Sequence, residues 1–337
     1  MAGAFTARRV AAAAAYGGGG ITALSGITVG LVMVEVRFAR RIIQATPNGD
    51  PPRADGVYGA RLPGEPLTFA MLGDSTAAGL GVHSPGETPA ALLADGLSSI
   101  AGSPVLLVNV ARSGARSEAL EDQVERALAA SPQIAVIMVG ANDVTSRVRS
   151  ADAVRHLARA VERLREAGSE VVVGTCPDLG SVKPLMQPLK WIARRASRQL
   201  AAAQTIAVVE RGGRSVSLGD LLGREFAADP AGMFSADRYH PSARGYAAAA
   251  MAMLPSMAAA LTLEPDLDPL PDARRGEGVL PVYLAAAEAA EKPGTEVSGA
   301  RVGGHDRGPR GRWATLLRRA RRVRRSPSES AAESHAA

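Results

Sequence analysis

Cysteine is nearly missing from this chain. Cys176 is the one thiol in 337 residues, so no intramolecular disulfide can form, and no companion stands at zinc-ligand spacing. Its plain reading is a small buried hydrophobe. Aromatic residues make up only 4% of the chain, and no basic stretch is interleaved with them. The stacking platforms of single-stranded nucleic acid are therefore lacking. Lysine occurs only at Lys183, Lys190 and Lys292, so the net charge of +6 rests on arginine. With the richness in alanine, this fits a GC-rich genome and is weak support for a nucleic-acid partner. Two familiar signatures are also absent. No G-x-G-x-x-G joins the first strand to its helix, which argues against a dinucleotide fold, and the serine motif G-x-S-x-G does not occur.

Residues 1–43 contain the longest uncharged run, Val10–Val34, bracketed by Arg8 and Arg9 before it and by Glu35, Arg37, Arg40 and Arg41 after it. A helix needs roughly 20 apolar residues to cross a bilayer, and this run has the length. A membrane anchor, a cleaved signal peptide and a buried helix compete. No small-x-small cleavage site follows the run, which favours a single-pass anchor. Arginines nearly balance on its two sides, so the side of the membrane stays open. Residues 44–66 are rich in Pro, Gly and polar residues and read as a linker.

From Leu67 to residue 262, short apolar runs alternate with helical patterns. Strands are expected at 67–72, 105–110, 134–139, 170–174 and 206–209. Helices are expected near 89–97, 116–129, 154–164, 189–204 and 241–261. Continuous β-branched strands between amphipathic helices predict an α/β fold with a parallel five-stranded sheet covered on both faces. Ligands of such sheets sit beyond the carboxyl ends of the strands. Residues 263–337 are dense in Pro, Gly and charge and read as a mostly disordered tail. Within it a brief helix is expected at 279–290, and a basic amphipathic helix near 312–325 that reads either as a membrane-surface element or as a solvated charge run.

Three strings fall at the strand ends: Gly73-Asp74-Ser75, Gly140-Ala141-Asn142-Asp143 and, near the last helix, Asp237-Arg238-Tyr239-His240. A serine hydroxyl needs a base, and histidine is the usual one near neutral pH. Five histidines allow elimination. His305 and His335 lie in the tail, His156 sits off the apolar stripe of its helix, and His83 has no orienting carboxylate nearby. His240 remains, with Asp237 three residues earlier. Ser75 as nucleophile, His240 as base and Asp237 as orienting acid complete the logic of a triad. The Gly114 N–H, the Asn142 side-chain amide and the Ser75 N–H are the candidate oxyanion donors. No cluster has metal-ligand spacing, and no cofactor is expected.

On these blocks the chain resembles the SGNH (GDSL-type) hydrolases: Phe69–Ser75 with Gly79 and Gly81, Asn109–Ala115, Val139–Asp143 and Asp237–Pro241. The resemblance implies a three-layer α/β/α fold of flavodoxin-like type, metal-free ester hydrolysis and the same roles for Ser75, Gly114, Asn142, Asp237 and His240. It also implies that Asp74 and Asp143 are structural neighbours. The expected activity is hydrolysis of a small-molecule or lipid ester, with lipid or cell-envelope acyl groups favoured by the membrane elements. The alternatives are a catalytically idle module of the same fold at a membrane surface, and a chain whose basic tail is its main function. Oligomeric state is not readable.

Overall fold

The computed structural model of the protein describes residues 49–182, 186–219, 226, 229–263, 278–291, 295–302, 305–307 and 313–318. Within them a short strand, β1 (Gly56–Tyr58), precedes an alternation of strands and helices. In order these are β2 (Leu67–Gly73), α1 (Ser75–Ala78), α2 (Pro89–Ala101), β3 (Val105–Asn109), α3 (Leu120–Leu128) and β4 (Ile134–Met138). Next come α4 (Ala141–Thr145), α5 (Ser150–Glu166), β5 (Glu170–Gly174), α6 (Leu189–Glu210) and β6 (Arg214–Val216). The short α7 (Pro230–Met233) and the long α8 (Ala243–Ala260) follow, then β7 (Gly278–Leu280), α9 (Val282–Glu291), β8 (Thr295–Val302), β9 (His305–Arg307) and β10 (Trp313–Arg318).

Strands β2 to β6 pair in parallel in the spatial order β3-β2-β4-β5-β6. That is the 2-1-3-4-5 order of a flavodoxin-type doubly wound sheet. The residue alternation explains why both faces are covered. Phe69 and Met71 of β2 join one core with α2 and α8, through Leu93, Leu97, Met253 and Met257. Ala70 and Leu72, on the opposite face, join a second core with α3, α5 and α6. Every residue of β4 is buried, as expected for a central strand that has helices on both sides.

The sheet is wider than the sequence suggests, and mixed. At one edge β1 pairs antiparallel with β3, so part of the expected 44–66 linker is built into the sheet. Tyr58 anchors it by donating its hydroxyl to the Ala54 carbonyl at 2.7 Å. At the other edge β8 pairs antiparallel with β6, and β10, β7 and β9 extend the sheet from there. The rest of residues 263–337, on which the expectation of a mostly disordered tail also falls, lies outside the described residues, whereas the described parts are strands and a helix. The physical reason is partner burial: Val297 of β8 and Ala285 and Ala289 of α9 pack on Val209 at the end of α6. Trp313–Arg318 is a strand, where an amphipathic helix was expected near 312–325.

The fifth parallel strand is also displaced. It is Arg214–Val216, whereas residues 206–209 form the last turns of α6. Leu200, Ala201, Gln204 and Val208 recur at helical spacing on the buried face of α6, and that packing outweighs the weak helix penalty of the β-branched run. Among the described residues, no helix is long and apolar enough to cross a membrane. The Val10–Val34 run, on which the anchor expectation falls, lies outside the described residues.

Candidate active site

The site is assembled from four loops at the carboxyl edge of the parallel sheet. The first turns sharply at Gly73, whose φ is 137°. A Cβ there would lie 1.9 Å from the Met138 carbonyl oxygen, so only glycine fits. Gln123, fully buried on α3, braces both sides of this glycine: its Nε2 donates to the Gly73 carbonyl at 2.9 Å, and its Oε1 accepts from the Gly73 N–H at 2.7 Å. Asp74 then caps α1, its Oδ1 accepting from the Thr76 N–H at 2.9 Å. Ser75 is the first residue of that helix, where backbone N–H groups have no intrahelical acceptor.

The second loop follows β3. A turn closed by the Ala115 N–H on the Arg112 carbonyl at 3.1 Å places Gly114 at its third position with a φ of 77°. A positive φ at that position favours glycine. The third loop follows β4, and its Asn142 donates from Nδ2 to the Ala115 carbonyl at 3.0 Å. One amide hydrogen of Asn142 is thereby committed and the second is left for a ligand. The next residue, Asp143, is buried and clamps the same two loops, accepting from the Ser117 hydroxyl at 2.8 Å and from the Ser117 N–H. Gly114 and Asn142 are thus held in fixed relation by bonds that neither could make alone.

The fourth loop lies between α7 and α8. An antiparallel bridge joins Phe234 to Pro241, and the Ser235 N–H donates to the His240 carbonyl at 2.8 Å. Arg238 at the tip takes a left-handed φ of 57°. The helix that follows starts two residues later than the sequence suggests, at Ala243, capped by Ser242 with Pro241 outside it. This hairpin turns Asp237 back on its own segment. Its Oδ1 accepts from the Ser235 hydroxyl and from the Tyr239 and His240 N–H groups at 2.7, 2.8 and 2.9 Å. Its Oδ2 lies 2.5 Å from His240 Nδ1, and His240 Nε2 lies 2.9 Å from Ser75 Oγ. Three side chains from opposite ends of the domain therefore form one continuous chain of contacts. Burial alone would raise the Asp237 carboxyl, but the bond from His240 and then that from Ser235 outweigh it and hold the group below the usual carboxylate range. Asp237 stays ionised and fixes the imidazole with Nε2 towards the serine.

Of the sequence candidates, Ser75, His240 and Asp237 come together directly, and Asn142 is linked to the Gly114 loop. His83 is exposed and outside this chain of contacts. Cys176 is fully buried, and burial, then Asp74, raise its thiol well above the usual range. Several supports had no signal in the sequence. Tyr239 meets the His240 ring edge-on at 4.8 Å between centroids. Tyr246, buried in α8, donates its hydroxyl to the Leu80 carbonyl at 2.6 Å and so ties α8 to the turn after Ser75. Among the described residues, no group of three His, Cys, Asp or Glu side chains is placed to hold a metal ion.

A doubly wound α/β sheet with a Ser–His–Asp chain at its carboxyl edge, and a Gly loop and an Asn amide after the two neighbouring strands, has the architecture of an SGNH-type hydrolase. The model of the GDSL-like Lipase/Acylhydrolase family matches residues 71–248; the chain belongs to this family and is an esterase or acylhydrolase. The chain is 41% identical over 250 residues to the GDSL-like esterase Rv1075c of Mycobacterium tuberculosis, a match that spans 70% of this chain and 79% of that protein. Among solved structures it is similar to TesA, with 24% identity, a TM-score of 0.45 and coverage of 59% of this chain and 100% of that one. It is also similar to the lipase/acylhydrolase from Enterococcus faecalis, with 21% identity, a TM-score of 0.40 and coverage of 59% and 98%.

Proposed function

We propose that the protein hydrolyses an ester through an acyl-enzyme on Ser75, and that the ester is a lipid or cell-envelope acyl group. The observation that carries the mechanism is the unbroken series Asp237 Oδ2, His240 Nδ1, His240 Nε2 and Ser75 Oγ, with spacings of 2.5 and 2.9 Å. In this reading His240 Nε2 takes the proton of Ser75 as Oγ attacks the acyl carbonyl. The N–H groups of Ser75 and Gly114 and the free Asn142 hydrogen meet the oxyanion that forms. His240 then returns the proton to the departing alcohol, and water enters by the same route to release the acid. Asp237 remains a carboxylate throughout.

The substrate class is supported by the uncharged, arginine-flanked run Val10–Val34, which we read as a membrane tether bringing the catalytic domain to lipid. A panel of p-nitrophenyl esters of increasing acyl length, assayed with the native protein and with Ser75→Ala, tests both parts. The expected loss in kcat is on the order of 10⁵–10⁶ for Ser75→Ala. Equal rates in the two proteins would refute the mechanism, and a rate confined to the shortest acyl chain would refute the long-chain lipid reading.

A further inference from the structure

The first turn of α6 exposes large apolar side chains where a solvent face should be polar. Its inner face is conventional: Ala193, Ser197 and Leu200 are buried. At about 100° per residue the opposite side of the first turns carries Trp191 and Arg195, with Ile192 on the flank beside them. Trp191 is 59% exposed and Ile192 41%, and Met186, just ahead of the helix, is 58% exposed. Large exposed hydrophobic side chains elsewhere among the described residues are scattered singly or in one adjacent pair, whereas these three fall within a single turn-and-helix start. A cluster of this kind marks a contact surface, which single exposed side chains do not.

Charge indicates the kind of surface it meets. From residue 186 to residue 209 the chain has no Asp or Glu; Arg194 and Arg198 pair with the buried Asp178, and Lys190 and Arg195 are the cations that neighbour Trp191 along the helix. Arg195 holds its guanidinium 5.8 Å from the centre of the Trp191 ring, so apolar and cationic groups share one patch. Tryptophan beside aliphatic and basic side chains is the composition of an element lying in the headgroup region of an anionic bilayer. Position links the patch to the site. On the inner face Ala193 packs in the same cluster as Ala141 and Tyr239, which precede Asn142 and His240 in the chain.

We propose that the start of α6, with Trp191, Ile192 and Met186 inserted and Lys190 and Arg195 at the headgroups, seats the mouth of the active site on an anionic lipid surface. This extends the lipid-ester reading above and is tested apart from it. The chain has two tryptophans, Trp191 and Trp313, so full-length protein carrying Trp313→Phe reports on Trp191 alone. On vesicles of phosphatidylglycerol and phosphatidylcholine, Trp191 emission should move to shorter wavelength and lose most of its intensity to brominated acyl chains. In neutral phosphatidylcholine vesicles the quenching should be weaker. Protein that sediments with anionic vesicles while its Trp191 emission is unquenched would overturn the proposal, because the attachment would then lie elsewhere in the chain. A blue shift in lipid-free buffer that grows with protein concentration would overturn it too, assigning the face to a second copy. Hydrolysis of soluble p-nitrophenyl acetate by the same protein reports the esterase separately.

Discussion

Ser75 owes its place to residues that do no chemistry. Gly73 permits the close approach to Met138, Gln123 braces that glycine from α3, and Asp74 caps the short helix that Ser75 begins. The same holds for Asn142, whose amide is aimed by its bond to the Ala115 carbonyl and by the Asp143–Ser117 clamp next to it. Asn142→Ala removes a side-chain donor and leaves that clamp in place, so kcat should fall about 10²–10³-fold with little change in KM. Steady-state kinetics on a soluble ester checks this. The candidate residues were legible in the sequence because each sits in a short polar string just after an apolar run, where the strand's end must lie. Gln123 was not legible. Its bonds to Gly73 span 50 residues, and an amide on a helix gives no hint of which backbone it will meet. Ser235 and Tyr246 escaped notice for the same reason.

At the level of elements, four of the five parallel strands were legible because their β-branched runs are flanked by turns. The fifth was missed where local pattern and packing disagree, since residues 206–209 resemble a strand but complete the buried face of α6. The strand that flanks β6 was hidden differently. β8 carries Glu296, which is fully buried, and a charged residue inside a short run does not read as sheet interior. Its burial is made tolerable by Arg214 of β6, whose Nη1 donates to Oε1 at 2.6 Å, and by the Ser256 hydroxyl of α8, which donates to Oε2 at 2.5 Å. Fully buried pairs cost about 3–5 kcal/mol to break, and Arg214 is partly solvated. We therefore expect Arg214→Ala to destabilise the protein by about 2–3 kcal/mol in urea unfolding. Hydrogen exchange should show β8 amides opening before those of β4.

At the scale of the whole molecule, three aspartates at or beside the site pull the pH dependence of stability in opposite directions. Asp74 is raised to about 6, chiefly by burial and further by Asp143, against the opposing effects of the Thr76 N–H and His240. A carboxyl raised on folding binds its proton more tightly in the native state, so its contribution is present below the ordinary carboxylate pKa and is lost as pH climbs from about 4 to 6. Asp143, raised by burial against its Ser117 bonds, adds to the same slope. Asp237, held low, acts the other way, and its contribution is lost only in stronger acid. Asp74→Asn keeps an acceptor for the Thr76 N–H but removes the buried charge. Relative to the native protein, it should gain on the order of 2–3 kcal/mol at pH 7 and nothing at pH 4, read from urea midpoints at the two values.

The antiparallel pairing of β8 with β6 has a practical consequence. Apolar alternation fades after Leu261 and the family match ends at residue 248, so either point looks like a safe place to end a shortened protein. Such a protein would keep all five candidate site residues and lose β8, the antiparallel partner of β6. The Ser217 N–H, which donates to Thr295, would be bared, and Arg214 would have no Glu296 to meet. An open sheet edge invites pairing with another chain. A truncated preparation would therefore lose material to precipitation and be scored as a poor enzyme with its candidate site residues intact.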